Sequence, residues 1–457
     1  MRDVHLKGRK AIVVGAGVSG LAAARLLLAR DAAVDLYDDA PRERLRPEVA
    51  VLEAAGAQVL AGGATPDPTR YDLAVVSPGI SADAAVLQTL AAAGVERIAE
   101  VELAFRLLTA PVLAITGTNG KTTTVELLGR VFADAGRSVF VGGNVGTPLS
   151  DAVGDHWDAV VAEVSSFQLE TVDRFRPRVA VLLNLTDDHL DRHPDRGAYA
   201  AAKARLFANQ GPGDAAVVNA DDPAAWALKR PGGGVLLPYS TRRMLPVGAW
   251  LEGAEGVVLL PGRDGMRFPA GELRLPGEHN RGNALAACLA AAWVGIDPGA
   301  AWRCAQRFEG LGHRIERFLE WRGVQFVDDS KATNVGAAVS ALQTVAGPVV
   351  WVAGGVDKGG DYGPLVPVLQ AVARQVILVG EAAEQMAGAL HGAAPLLVAP
   401  GWPAAVSAAV SAAHPGDTVL LAPACSSFDH FSGYAQRGEV FQRLCREETG
   451  RRDAGGH

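Results

Sequence analysis

Short apolar runs recur along this chain, each closed by glycine or a polar cluster and followed by an alanine- and leucine-rich stretch of helical period. The first are 11–14, closed by Gly15-Ala16-Gly17-Val18-Ser19-Gly20, then 34–37, closed by Asp38-Asp39, and 73–76, closed by Ser77-Pro78-Gly79-Ile80; a helix is expected over 21–30. A second series (112–115, 139–141, 159–164, 179–183) and a third (324–327, 349–353, 376–379, 418–421) repeat the pattern. Runs this short read as buried strands, and their alternation with helical stretches reads as βαβ units in parallel sheets. The 457 residues exceed what one core accommodates. The expected fold is α/β in three domains: a Rossmann-like domain over 1–108, a central P-loop-type ATPase-like parallel sheet over 109–308, and a second Rossmann-like domain over 309–457.

Composition narrows the function classes. The chain is 49% hydrophobic and 20% charged with a net charge of -7, which argues against a dedicated nucleic-acid binder. Cys288, Cys304, Cys425 and Cys445 form no C-x-x-C pair, as expected of buried thiols in a reducing cytoplasm. The opening residues carry no apolar signal core and no long apolar run follows, so a cytoplasmic location without a membrane span is expected, in a monomer. The stretch from Arg451 to His457 reads as a disordered tail.

The sharpest chemistry follows the run 112–115. Gly117-Thr118-Asn119-Gly120-Lys121-Thr122-Thr123 stands between a strand and a helical stretch over 125–135. Small residues let backbone N–H groups face phosphate oxygens, and a helix N-terminus adds its positive end. Lys121 would neutralise the β- and γ-phosphates of ATP, and the Thr122 hydroxyl would ligate Mg2+. Ile115 stands where a standard P-loop has its first glycine, so this loop is a compact variant.

The first glycine turn, with Val18 and Ser19 inside it, matches a dinucleotide fingerprint, which would set Asp38 on a ribose. The motif by itself places a phosphate-bearing ligand at a helix N-terminus. A nucleotide-like diphosphate other than NAD is favoured; NAD and a purely structural turn stay open. Ser77, Pro78 and Gly79 close a neighbouring strand, where ligands of open α/β sheets bind.

In the second series, Gly142-Gly143-Asn144-Val145-Gly146, then Glu163-Val164-Ser165-Ser166, then Asn184-Leu185-Thr186-Asp187-Asp188-His189 close successive strands on one rim. An unpartnered carboxylate on a buried strand is costly, so Glu163 calls for a cation, and His189 can supply a second ligand. Mg2+ prefers oxygen; Mn2+ accepts a histidine more readily. Lys203, in an amphipathic stretch over 199–207, reads from the residues alone as a solvated helix lysine. In the third series Asp328-Asp329-Ser330-Lys331-Ala332-Thr333-Asn334 and a glycine-rich turn bearing Lys358 close strands.

Seven segments in this order resemble the ATP-dependent Mur ligases of peptidoglycan synthesis: 117–123, 142–146, 163–169, 187–192, 279–284, 312–314 and 328–334. The N-terminal glycine turn, the Ser330–Asn334 segment and Pro423-Ala424-Cys425-Ser426-Ser427-Phe428-Asp429 point to the branch that adds D-glutamate. The resemblance implies that Lys203 is carbamylated, that Glu163 and His189 hold metal, and that Asn144 lies near the muramoyl substrate. It sets Asn280, Asn283, Arg314 and Asp329 around ATP. It sets Lys331, Thr333, Lys358, Ser427 and Tyr434 around D-glutamate, with Tyr434 where the family often has Phe.

The implied substrates are UDP-N-acetylmuramoyl-L-alanine, D-glutamate and ATP, joined through an acyl phosphate, with closure of the third domain over the second to exclude water. Three rivals explain less. A dehydrogenase leaves Lys121 idle. A nucleotide-binding regulator has no need of Glu163 and His189. A folylpolyglutamate-type ligase is not expected to carry this N-terminal domain.

Overall fold

The computed structural model describes residues 5–81, 83–186, 188, 192–275, 277–310 and 312–454. Their strands form three sheets. The first contains β1 (Lys10–Val14), β2 (Ala33–Asp38), β3 (Gln58–Ala61), β4 (Leu73–Val76) and β5 (Glu96–Ala99), all parallel in the order 3-2-1-4-5. Chain order reverses between β1 and β4, which opens a crevice at their carboxyl ends. The helix Val18–Leu28 follows β1 directly and buries Leu21, Ala24 and Leu27.

The second sheet begins with β6 (Val112–Thr116), β7 (Val139–Gly143), β8 (Ala159–Glu163), β9 (Val179–Leu182), β10 (Ala215–Asn219) and β11 (Val235–Ser240). It continues through β12 (Gly248–Glu252), β13 (Glu255–Leu259) and β14 (Met266–Pro269), in the order 14-13-12-11-10-9-6-8-7. β6 is flanked by β8 and β9, so the loops after these three strands share one rim. The parallel reading holds from β6 to β12, whereas β12 to β14 form an antiparallel meander that the helix-alternating pattern did not disclose. Glycine drives that difference. Gly248 has φ +106 and a Cβ there would lie 1.8 Å from Pro238 O, and Gly253, at φ +61, turns the hairpin.

The third sheet holds β15 (Glu316–Trp321), β16 (Val324–Asp328), β17 (Val349–Ala353), β18 (Ala373–Leu378), β19 (Leu396–Val398) and β20 (Thr418–Leu421) in the order 15-16-20-17-18-19. β16, β20 and β17 are neighbours, so the loops bearing Lys331, Ser427 and Lys358 leave adjacent strands.

The chain gathers into two compact units: Met1–Leu185 with Gly197–Gly271 and Gly282–Ala305, and Thr186–Arg196 with Glu272–Arg281 and Gln306–His457. The first two sheets share the first unit. The helix Glu100–Leu107 ties them: buried Glu100 accepts from Ser150 N at 2.5 Å, and buried Arg106 bonds Glu102 at 2.6 Å and reaches Asp173 at 3.5 Å.

The expected disordered tail is corrected over 451–454, the part of it within the described residues. The last helix runs Tyr434–Ala454, through Arg451 and Arg452, because Arg452 Nε pairs with Glu448 at 3.0 Å and Asp453 accepts from Trp321 Nε1 at 3.0 Å. Among the described residues, no helix is long and apolar enough to cross a membrane.

Candidate active site

The phosphate loop leaves the fully buried β6 and enters the helix Lys121–Asp134, which starts at Lys121 itself rather than near Val125. Lys121, Thr122 and Thr123 therefore form its first turn, the place where backbone N–H groups are free of helical partners. Gly120 adopts φ +82, and a Cβ there would lie 2.6 Å from Asn283 Oδ1, so glycine is needed both for the turn and for the close approach of Asn283. Asn184, at the end of β9, clamps the loop: its Oδ1 accepts from Asn119 N at 2.8 Å, its Nδ2 donates to Asn119 O at 3.0 Å, and its carbonyl accepts from Thr118 N at 3.1 Å. This clamp was present in the sequence only as one polar residue in a cluster.

Two lysines converge on this loop. Lys121 Nζ donates to Gly117 O at 2.9 Å and to Thr118 O at 2.8 Å. Lys203 is not solvated: it is 1% exposed, and its Nζ donates to the same Gly117 O at 3.0 Å and to Thr116 Oγ1 at 3.3 Å, above the Tyr199 ring. The amphipathic period of the helix Arg196–Ala204 correctly gave a buried face, and Lys203 lies on it with Tyr199 and Ala202. Burying a lysine costs free energy that the bonds to its ammonium group must offset.

Glu163 ends β8, 2% exposed; Oε1 accepts from Asn144 Nδ2 at 3.0 Å, and Oε2 is buried with no hydrogen-bond partner. The loop bearing Asn144 lies along the end of this strand because Gly143, at φ +112, has only 2.3 Å between a Cβ and Glu163 O. Glu126, one turn beyond Thr122 on the loop's helix, has its carboxyl pushed up by burial and by the charge of Glu163. Two carboxyls in one low-dielectric corner, one oxygen unpaired, form a place for positive charge. Thr122 is buried in the first helical turn. The expected ligand His189 lies outside the described residues.

At the first sheet, Ser77 Oγ donates to Gly15 O at 2.9 Å, joining the two turns expected to face the muramoyl substrate. Val18 and Ser19 open the helix Val18–Leu28, with Val18 exposed, while Pro78 and Gly79 follow Ser77 at the carboxyl end of β4. Asp38 accepts from Ala16 N at 2.8 Å and Ala40 N at 2.9 Å, so its carboxylate braces the glycine turn from within.

In the second unit, the remaining residues gather in two groups. Asp329 is buried, its carboxyl pushed up to about 7 by desolvation against the opposing charge of Arg314. His279 is pushed down to about 4 by burial and then by Arg314, and its Nδ1 meets Ser340 Oγ at 2.8 Å. Asn280 stands in the first turn of the helix Glu278–Trp293, whose later residues, Asn283 among them, belong to the first unit. Lys331 Nζ lies 4.0 Å from the centre of the Tyr434 ring, bringing two expected D-glutamate residues together. Ser427 is buried, and Thr333 N donates to Lys331 O at 2.8 Å. Lys358 Nζ reaches Asp188 Oδ1 at 3.4 Å, and Asp188 also accepts from Asn334 Nδ2 at 3.0 Å.

Arg437 was missed by sequence reading. It is fully buried, its guanidinium pushed down to about 10 by desolvation, and it donates to Ser330 Oγ (3.0 Å), Ser330 O (2.9 Å) and Ser426 O (3.0 Å). It staples the loop of Lys331 to that of Ser427. A lone arginine in a C-terminal helix carries no signal of this in sequence. His313, Glu316 and Asp328 lie close enough to hold a cation, but their bonds are taken: Asp328 accepts from His313 Nδ1 at 2.7 Å, Gln442 Nε2 at 2.9 Å and Ser330 N at 2.8 Å. That knot, in which His313 is held protonated to higher pH by its bond to Asp328, is structural.

Comparison with known proteins supplies the family. The Mur ligase MurD-like N-terminal domain matches 9–99, the Mur ligase middle domain 115–291, and the Mur ligase glutamate ligase domain 313–425. The chain belongs to the Mur ligase family. A UDP-N-acetylmuramoylalanine–D-glutamate ligase of Pelotomaculum thermopropionicum is 43% identical over 95% of this chain and 97% of its own length. One of the same name from Syntrophotalea carbinolica is 45% identical over 95% and 97%. Among solved structures, the MurF ligase of Thermotoga maritima in complex with ADP superposes with a TM-score of 0.60 at 18% identity, covering 92% of this chain and 96% of that one. The UDP-N-acetylmuramate–alanine ligase of the same organism gives 0.58 at 19%, covering 96% and 99%. These two likenesses speak to the fold.

Proposed function

We propose that this chain uses ATP to join D-glutamate to UDP-N-acetylmuramoyl-L-alanine, making a peptidoglycan precursor. The observation that carries the reading is the loop at Gly117, where Lys121 and Lys203 meet on one carbonyl oxygen within a chain related over 95% of its length to ligases of that name. Residues 1–108 would hold the muramoyl nucleotide, 109–308 ATP, and 309–457 D-glutamate.

The chemistry follows from a leaving-group problem. A carboxylate does not lose oxide to an amine, so its oxygen first attacks the γ-phosphorus of ATP; the bond to ADP breaks and an acyl phosphate forms. Lys121 exchanges its two backbone carbonyls for phosphate oxygens, and the N–H groups of the first helical turn steady the charge in transfer. The D-glutamate amine then attacks the acyl carbon, loses a proton, and phosphate departs to leave the amide. Lys331, Thr333, Lys358, Ser427 and Tyr434 would fix the amino acid, and holding its nitrogen about 3 Å from the acyl carbon supplies a large share of the rate.

A divalent cation, Mg2+ or Mn2+, fits the unpaired Glu163 oxygen; Thr122, Glu163, His189 and Lys203 would hold it, and it would supply positive charge toward the phosphates. Carbamylation of Lys203, in which a neutral amine and CO2 give an anionic carbamate and a proton, would turn this buried cation into an anion suited to that site.

ADP release in the presence of UDP-N-acetylmuramoyl-L-alanine and single amino acids tests the reading. D-glutamate should drive release and L-alanine and diaminopimelate should not; silence with every amino acid would refute a ligase.

A further inference from the structure

At the opposite end of β6 and β9 from the phosphate loop lies a cavity of about 450 Å³. Its wall comes from Arg174-Phe175-Arg176-Pro177-Arg178, which enters β9. Phe175 and Pro177 are buried and the three arginines exposed, so extended alternation points the three guanidinium groups to one side. The floor is apolar: Phe105, Pro111 and Val112.

Two of the arginines are preorganised. Asp214, its side chain 5% exposed, accepts from Arg176 Nε at 2.7 Å and lies 3.5 Å from Arg178 Nη1. Gly211 and Gly213 leave room for them, since a Cβ would come within 2.9 Å of Arg176 and 2.7 Å of Arg178. One carboxylate cannot satisfy ten guanidinium N–H donors, and the pair exceeds its charge by one. Arg174 adds another, opposed at 3.6 Å by an exposed Asp173 that Arg106 shares. The catalytic reading uses none of these groups.

We propose that this cavity is a second, non-catalytic site for a phosphate-bearing metabolite of about nucleotide size. Arg forks match phosphate oxygens bidentately, and the volume lies in the range of small-molecule sites. The phosphates sit on Arg174, Arg176 and Arg178, and the apolar body of the ligand covers Phe105, Pro111 and Val112.

Calorimetric titration of the full chain with inorganic pyrophosphate and with UDP tests this. Both probes can also enter the catalytic crevices, so the experiment is run in the Lys121→Ala protein as well. Pyrophosphate should still bind that variant, with affinity falling steeply as salt rises, and should bind about tenfold more weakly to Arg176→Ala/Arg178→Ala. Since that pair strands buried Asp214, Arg174→Ala and the Arg176→Lys/Arg178→Lys pair, which keeps the charge and loses the fork, run beside it; both should weaken pyrophosphate severalfold. Binding unchanged by all three arginine variants, or lost with Lys121→Ala alone, overturns the proposal. A glutamate decapeptide that binds more tightly than pyrophosphate and is weakened by the arginine variants overturns it in favour of an acidic protein segment.

Discussion

The phosphate loop and the paired loops of Ser330 and Ser427 both hold buried cations, and they treat them in opposite ways. Around Gly117, Lys121 and Lys203 both donate to the Gly117 carbonyl oxygen while Glu163 keeps a buried oxygen unpaired. Around Ser330, Arg437 spends its fork on carbonyl and hydroxyl oxygens from both loops, each at 3.2 Å or less apart from the longer reach to Gly354 O at 3.4 Å. The first arrangement leaves one carboxylate oxygen without a hydrogen-bond partner. The second is saturated and fixes geometry. An unpaired buried carboxylate oxygen is a place for positive charge, and a fully bonded guanidinium fixes the loops around it.

Substitutions can break that contrast. The largest effect should come from Lys121→Ala, which removes a charge held ready for phosphate: turnover should fall about a thousandfold or more with little change in melting temperature. Parallel assays of ADP release and thermal unfolding check it, and a large loss of stability would place Lys121 with the scaffold instead. Lys203→Ala should lose turnover about a hundredfold and regain part of it when small carboxylates are added, as a missing carbamate requires. Failure of rescue at any concentration would weaken the carbamate.

Arg437→Ala should do the reverse of Lys121→Ala. It leaves buried carbonyls of both loops unpaired, so urea unfolding should show a loss of about 3 kcal/mol. A stability-neutral variant would remove Arg437 from the scaffold.

Glu100, between the first two sheets, gives a pH test. Burial pushes its carboxyl from near 4.5 up to about 7, so the folded chain holds the proton more tightly than the unfolded one. Its stabilising contribution is therefore full below about pH 4.5 and is lost as pH rises toward 7. Unfolding free energy should drop by about 2 kcal/mol from about pH 5 to about pH 8 relative to Glu100→Gln, whose profile should be flatter. The smallest change in stability should come from Glu163→Gln, a gain of about 1 kcal/mol, because a neutral amide replaces a carboxylate with an unpaired oxygen. A destabilised Gln variant would mean that Glu163 is already satisfied.

The strands were legible because burial on both faces writes uninterrupted apolar runs: 73–76, 349–353 and 418–421 coincide with β4, β17 and β20. The meander of β12 to β14 was not, since its glycines and short mixed segments carry neither period. The seven motifs fixed the family and named the phosphate loop, the rim at Glu163 and the Lys331 loop, because local backbone chemistry needs those residue types at those spacings.

By itself, then, the chain determined three α/β sheets and which loops bear the chemistry, since local periodicity and turn residues act over a few positions. Only the tertiary structure decided that Lys203 is buried, that Asn184 clamps the phosphate loop, that Asp38 braces its own turn and that Arg437 staples two loops. Most of those bonds join residues far apart in sequence, and burial and partnership are properties of the packed surroundings that no single segment carries.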